Sequence, residues 1–162
     1  MAQSDYFLKI DGIVGESGDA KHKGEIEISS FSWGASQSGS FAAGGGGGAG
    51  KVSMQDFHFV MSTNSASPHL FISCASGKHI KKATLACRKA GGDQNEFLIV
   101  DFEDILISSF QTGGSSHGDV LPTDQISLNF AKVVIEYKEQ KTDGGVVSKG
   151  KVGWDLKKNV KV

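Results

Sequence analysis

Ser32-Trp33-Gly34-Ala35-Ser36-Gln37-Ser38-Gly39-Ser40-Phe41-Ala42-Ala43-Gly44-Gly45-Gly46-Gly47-Gly48-Ala49-Gly50-Lys51-Val52 holds five consecutive glycines in a chain of 162 residues. Glycine loses more conformational freedom on ordering than any other residue, so such a run either stays mobile or is held by something outside its own chain. The second is the expectation. What comes next decides the fold class. Val52-Ser53-Met54-Gln55-Asp56-Phe57-His58-Phe59-Val60 varies at period two, the pattern of a strand, where a nucleotide-binding loop would open a helix.

That context disposes of two motif matches. Gly45-x4-Gly50-Lys51 fits all but the last position of a phosphate-cradling loop, and Gly45-x-Gly47-x-x-Gly50 fits the dinucleotide fingerprint. The first needs a hydroxyl directly after its lysine to hold magnesium, and Val52 stands there. Both need a helix whose first N–H groups meet the phosphate. No cofactor and no metal are expected.

Length suits one domain over residues 1–162. With 17 Lys plus Arg against 18 Asp plus Glu, the chain lacks the cationic excess of a nucleic-acid or anionic-membrane binder. Met1-Ala2-Gln3-Ser4-Asp5 has neither a basic start nor an apolar run, and no segment has the length to span a bilayer. A protein made in the cytoplasm is expected, with any export by another route. Cys74 and Cys87 sit among apolar neighbours and read as buried free thiols. His22, His58, His69, His79 and His117 show no metal-ligand spacing.

Outward from the glycine run, the chain is mostly alternation. Tyr6, Leu8 and Ile10 share one face of a first strand that Asp11-Gly12 ends, and Gly15 to Lys23 is a polar loop. Ile26 and Ile28 lie on one parity, Phe31 and Trp33 on the other, so a bulge or a change of buried face is required near Ser29-Ser30. With Phe31 and Trp33 inward, Ser32 points outward. Ser67 as cap, Pro68 in the first turn and Gly77 at the end predict a helix that buries Leu70, Phe71, Cys74 and Ala75.

Strands are predicted over 83–87, 96–102 and 105–107, with Asp104 interrupting the last two. A thirteen-residue strand follows from Gln125 to Tyr137, whose far half is apolar on both faces and needs cover on both. Thr112 to Asp119 and Thr142 to Gly150 read as loops. Val152, Trp154 and Leu156 face inward on a last strand, and the basic end from Lys157 frays. The sum is a mainly β fold, a small β-barrel or closed sandwich with one flanking helix and long glycine-rich loops. Loops of that length are usually functional or disordered. No Gly-x-Ser-x-Gly occurs, no catalytic set assembles, and an enzyme is not expected.

Phe7-x-Lys9-Ile10, Gly15-Glu16-Ser17, Ser32-Trp33-Gly34-x-Ser36-Gln37-Ser38-Gly39, Gly44 to Gly50 with Lys51-Val52, Gln55-Asp56-Phe57, Ser67-Pro68-x-Leu70, Ser76-Gly77-Lys78-His79, Arg88-Lys89-Ala90-Gly91-Gly92 and Leu128-Asn129-Phe130-Ala131 succeed one another in order. This succession resembles the haemolysin-coregulated protein (Hcp) family, the inner-tube subunits of the bacterial type VI secretion system. The resemblance implies a homohexameric ring whose stacked copies form a tube. Its partners would be a contractile sheath, a trimeric spike and small effector proteins in the lumen. It also implies export from the bacterial cytoplasm without a signal peptide.

Carried onto this chain, Ala42, Ala43, Gly44, Gly45, Gly46, Gly47, Gly48, Ala49 and Gly50 resemble the arm that reaches an adjoining subunit or ring. The Ser29 to Ser32 segment resembles the lumen-facing strand, with Ser32 and Ser30 as candidate effector contacts. The competing expectation is a monomeric β-barrel whose glycine loops bind a ligand.

Overall fold

The computed structural model describes residues 4–38, 51–91 and 94–162, and among them the alternating runs form eleven strands with one helix. In chain order these are β1 (Ser4–Ile10), β2 (Ile26–Ile28), β3 (Ser30–Ser32), β4 (Ala35–Gln37), β5 (Val52–Met54), β6 (Phe57–Ser62), α1 (Ser67–Ser76), β7 (His79–Lys89), β8 (Glu96–Gly113), β9 (Thr123–Gln140), β10 (Val146–Asp155) and β11 (Val160–Lys161). The main sheet runs β11-β10-β9-β8-β7-β1-β2, with every ladder antiparallel.

β9 is its hub. One edge pairs with β8, and the other pairs first with β6 from Thr123 to Leu128 and then with β10 from Lys132 to Gln140.

The parity change near Ser29 is where the sheet turns on itself. Ile28 pairs with Tyr6 of β1, whereas Ser30 pairs with Val60 of β6, and between them the Ser29 N–H donates to the Val60 carbonyl at 2.8 Å. One short stretch of chain thus changes both its partner strand and its buried face. The architecture is barrel-like, joined at this switch instead of by an uninterrupted ladder.

The core is aliphatic around an aromatic centre. Leu8, Leu85, Val100, Ile126 and Leu128 are fully buried, and Phe102 lies 4.8 Å from both Phe57 and Phe130, with Trp33 edge-on to it at 6.1 Å. Leu8 and Ile10 face this core as expected. Phe7, on the opposite face of β1, is buried as well, because the His22 ring stacks on it at 4.4 Å and the Arg88 guanidinium sits 4.7 Å from its centre. The Gly15–Lys23 loop is therefore folded onto the sheet, tied by Gly15 N–H to Gly24 O at 2.7 Å and Ser17 N–H to Glu25 O at 3.0 Å.

Several expectations are corrected. Ser67 is the first residue of α1 and not its cap: its hydroxyl donates to the buried Asp124, which also accepts from Thr63 Oγ1 at 2.9 Å. Ala66 holds the cap position without a side-chain bond, while Gly77 ends the helix in the left-handed region at φ 66° as expected. The helix buries Ser67, Leu70 and Ser73; Phe71 and Ala75 face outward, because the buried stripe follows the one-turn spacing of Leu70.

The predicted strand over 52–60 is split at Gln55-Asp56. Asp104 does not end β8, which continues through it with that residue at φ 55°. Only Thr142 to Gly145 of the Thr142–Gly150 loop is a turn, closed by Lys141 N–H to Gly145 O at 2.7 Å, and β10 starts at Val146. Val152 is 51 % exposed, contrary to its inward placement. The basic end is paired: Trp154 faces Lys161 and Asp155 faces Val160, so β11 closes onto β10. Cys74 and Cys87 are free, and burial pushes the Cys87 thiol up to about 12, which keeps it protonated and unreactive.

Candidate assembly surfaces

The residues that precede and follow the glycine run in the sequence form a two-stranded stem. β4 and β5 form a separate two-stranded sheet, with Ala35 opposite Met54, Ser36 opposite Ser53 and Gln37 opposite Val52. At its root Trp33 packs on Phe102 and Phe130, and Gln55 N–H donates to Gly34 O at 2.8 Å. Asp56 anchors the same point, accepting from Ser108 Oγ at 2.6 Å and Asn129 Nδ2 at 3.0 Å. Beyond this root all three β4 residues are exposed. The arm positions Ala42 to Gly50 lie outside the described residues.

Ser30 and Ser32 are exposed, as the inward placement of Phe31 and Trp33 requires. The register shows what stands beside them. Residues directly opposite each other across antiparallel strands share a face, so one transverse row reads Ser32, His58, Ser127, Ser109 and the next reads Ser30, Val60, Gln125, Gln111. His58 Nδ1 and Ser127 Oγ, 3.1 Å apart, link the first row internally. These two rows cross four strands with hydroxyl, amide and imidazole groups and one valine, and neither contains a carboxylate or an ammonium. Of these residues only Ser30 and Ser32 stand out in the sequence as candidate contacts. The outward parity of the other polar positions is readable, but their alignment needs the register.

On another face, Arg88 is 4 % exposed and held between Asp19 at 2.5 Å and Asp5 at 3.5 Å. The Arg88 hydrogen bond holds the Asp19 carboxyl below its ordinary range, opposed in part by its own burial. A depressed carboxylate stabilises the fold above its unfolded value near 4 and loses that contribution as pH falls through the folded one. Urea unfolding should therefore show stability falling below about pH 4, and Arg88→Met should be less stable at neutral pH with a shallower acid limb. An unchanged limb would show that Asp19 is not the group responsible.

Among the described residues no three His, Cys, Asp or Glu side chains gather as metal ligands, and no helix is long and apolar enough to cross a membrane.

The sequence model of a family described as type VI secretion system effector, Hcp, matches residues 7–137. The chain belongs to the Hcp family. Protein hcp1 of Pseudomonas aeruginosa is 47% identical over 161 residues, covering 96% of this chain and 97% of that one. The crystal structure of Hcp1 from Salmonella typhimurium superposes with a TM-score of 0.81 at 39% identity, over 99% of this chain and 100% of the other. A structure titled as a type six secretion system protein gives a TM-score of 0.92 at 31% identity over the same shares. As an Hcp protein the chain is a secreted component of the type VI system, a family that implies oligomeric assembly.

Proposed function

We propose that copies of this chain close head-to-tail into hexameric rings, and that the rings stack into the tube that the type VI system expels from the bacterial cytoplasm. The observation that carries this reading is the pair of uncharged polar rows across β3, β6, β9 and β8, on a body that also carries the separate β4–β5 sheet. Turned toward the lumen, these rows offer short hydrogen-bonding groups to a small effector, with Asp56 at their margin held by Ser108 and Asn129. Ser30 and Ser32 are their members on β3.

Ala42 to Gly50, between β4 and β5 in the chain, meet a neighbouring copy, which offsets the entropy that a glycine run loses on being fixed. Between Val146 and Gly153 the outer edge of β10 has no strand beside it among the described residues, and a neighbour covers it. The contractile sheath surrounds the tube and the trimeric spike caps it. No signal peptide is needed when the tube itself is the route out.

Light scattering on the eluting protein should give a mass near six copies of the 17.1 kDa chain, and negative-stain images should show annuli with a central hole. A single-copy mass at micromolar concentration overturns the reading and returns the chain to a monomeric ligand-binding module. Replacing Gly46 and Gly47 with valine should leave ring mass unchanged while secretion into the medium is lost. Unchanged secretion would refute the arm. Ser32→Gln should alter effector co-purification before it alters ring mass, and loss of the ring would make Ser32 an interface residue.

A further inference from the structure

The loop over 15–24 lies on a patch of ionisable groups with one imidazole at its centre. Phe7 shares a side of the sheet with Asp5 of its own strand and with Arg88, which faces Asp5 across the β1–β7 ladder; Glu96 stands opposite Arg88 at the start of β8. Onto this side the loop lays His22, whose ring is buried and stacks on Phe7 at 4.4 Å. Its Nδ1–H donates to both carboxylate oxygens of Glu25, at 3.0 and 3.1 Å, and its Nε2 lies 2.9 Å from Glu96 Oε1. That Glu96 oxygen stands off the axis of the Nε2 bond, so the second contact is a charge pair and not a hydrogen bond.

A neutral imidazole has one N–H and one lone pair. Whichever nitrogen keeps the proton, the other turns its lone pair toward a carboxylate, in a place that water scarcely reaches. Only the imidazolium presents an N–H to Glu25 and to Glu96 at once. The surrounding charges favour the same form. The loop brings Asp19 to the patch, β1 brings Asp5, and β7 brings Arg88, the cation that pairs with both. Lys21 and Lys23 flank His22 in the chain, but both are exposed. Asp5, Asp19, Glu25 and Glu96 against Arg88 leave the patch short of positive charge, and a proton on His22 supplies one.

We propose that His22 is a proton-operated latch: protonated, it ties the entry of β2 to the start of β8 across Phe7 and holds the loop down, and without that proton its contact with Glu96 turns repulsive and the loop opens. The loop has two other ties to the body, Asp19 with Arg88 and Glu16 with the Ser65 N–H at 3.2 Å. Histidine is the side chain whose charge ordinarily changes between pH 5 and 8, so the His22 tie is the one that responds there. The closed loop holds a proton that the open loop releases. Closure is therefore strongest on the acid side of that range and weakens as pH rises through it. The Asp19 pair works in the opposite sense, and at lower pH. All these groups belong to one copy, so the latch is independent of the ring reading.

Hydrogen exchange in the full chain tests it, read between pH 5 and 8 at the amides of Gly15, Ser17, Gly24 and Glu25, each of which donates a backbone bond within the loop. After correction for the intrinsic pH dependence of exchange, their protection should fall as pH rises, by up to about tenfold per pH unit, the limit for release of one proton. Amides of β9 serve as the reference and should keep their protection. His22→Gln should make the loop insensitive to pH over this range. Glu96→Gln, at a partly exposed position, leaves the ring and its Glu25 bond in place and should give a shallower fall.

Loop protection that does not vary with pH in the unaltered chain overturns the latch. So does an unchanged fall in His22→Gln, which would put the responsible proton on another group. Should His22→Gln fail to fold, Glu96→Gln decides: a fall as steep as that of the unaltered chain overturns the proposal.

Discussion

Phe102→Ala should lower the free energy of unfolding by about 3–5 kcal/mol, the range for removing a buried aromatic from a packed core. Phe102 is fully buried and touches Phe57 on β6, Phe130 on β9 and Trp33 just before β4, so the void cannot be filled by moving one neighbour. The measurement is a urea titration in which the midpoint falls with an unchanged slope, the sign of lost stability in a chain that still unfolds as one unit. Phe71→Ala, measured in the same way, is the control, since that ring is half exposed and should cost far less.

A second readout is functional. Trp33 roots the β4–β5 stem on Phe102, so the variant should loosen the stem and reduce secretion even at temperatures where the body stays folded. A shift in stability with full secretion would show that the stem is held by Asp56 and the Gln55–Gly34 bond alone.

The same residues show how far the sequence could be read. Period-two alternation marks the strands, and the conflict between Ile26–Ile28 and Phe31–Trp33 requires a bulge or a change of buried face near Ser29-Ser30, where the pairing passes from β1 to β6. Strand ends were less legible, because they are set by partners distant in the chain. Asp104 looks like a break, yet β7 and β9 flank it on both sides and carry the strand through. The basic tail looks solvated, yet Val160 and Lys161 find the edge of β10.

The helix was found by Pro68 and Gly77, but its buried face was not. Phe71 is as apolar as Leu70, and only the position of the sheet beneath α1 separates them. The candidate surface followed the same rule. Ser30 and Ser32 are legible as outward positions on one strand, while His58, Ser127 and Ser109 join them only through ladders between residues as far as 69 apart in the chain.

Gly15→Val is expected to destabilise the chain at or above the upper end of the roughly 1–3 kcal/mol that overpacking usually costs. A β-carbon at Gly15 would lie 2.5 Å from the Glu25 carbonyl oxygen and 2.8 Å from the Ile26 α-carbon, and both are backbone atoms that no rotamer change can move aside. The space is tight because Gly15 and Ser17 bond to Gly24 and Glu25, laying the loop against the start of β2. That loop carries Asp19 to Arg88 and His22 to the face of Phe7, so lifting it uncovers both.

Two outcomes separate the local effect from a general one. Hydrogen exchange should rise first in the amides of 15–25 and of β1, whose outer face the loop covers, while β9 stays protected. Arg88→Met combined with Gly15→Val should cost less than the sum of the two alone, because the loop lost in one is the partner lost in the other. Additive costs would mean that the loop keeps its ion pair despite the clash, and that the backbone yields at β2 instead.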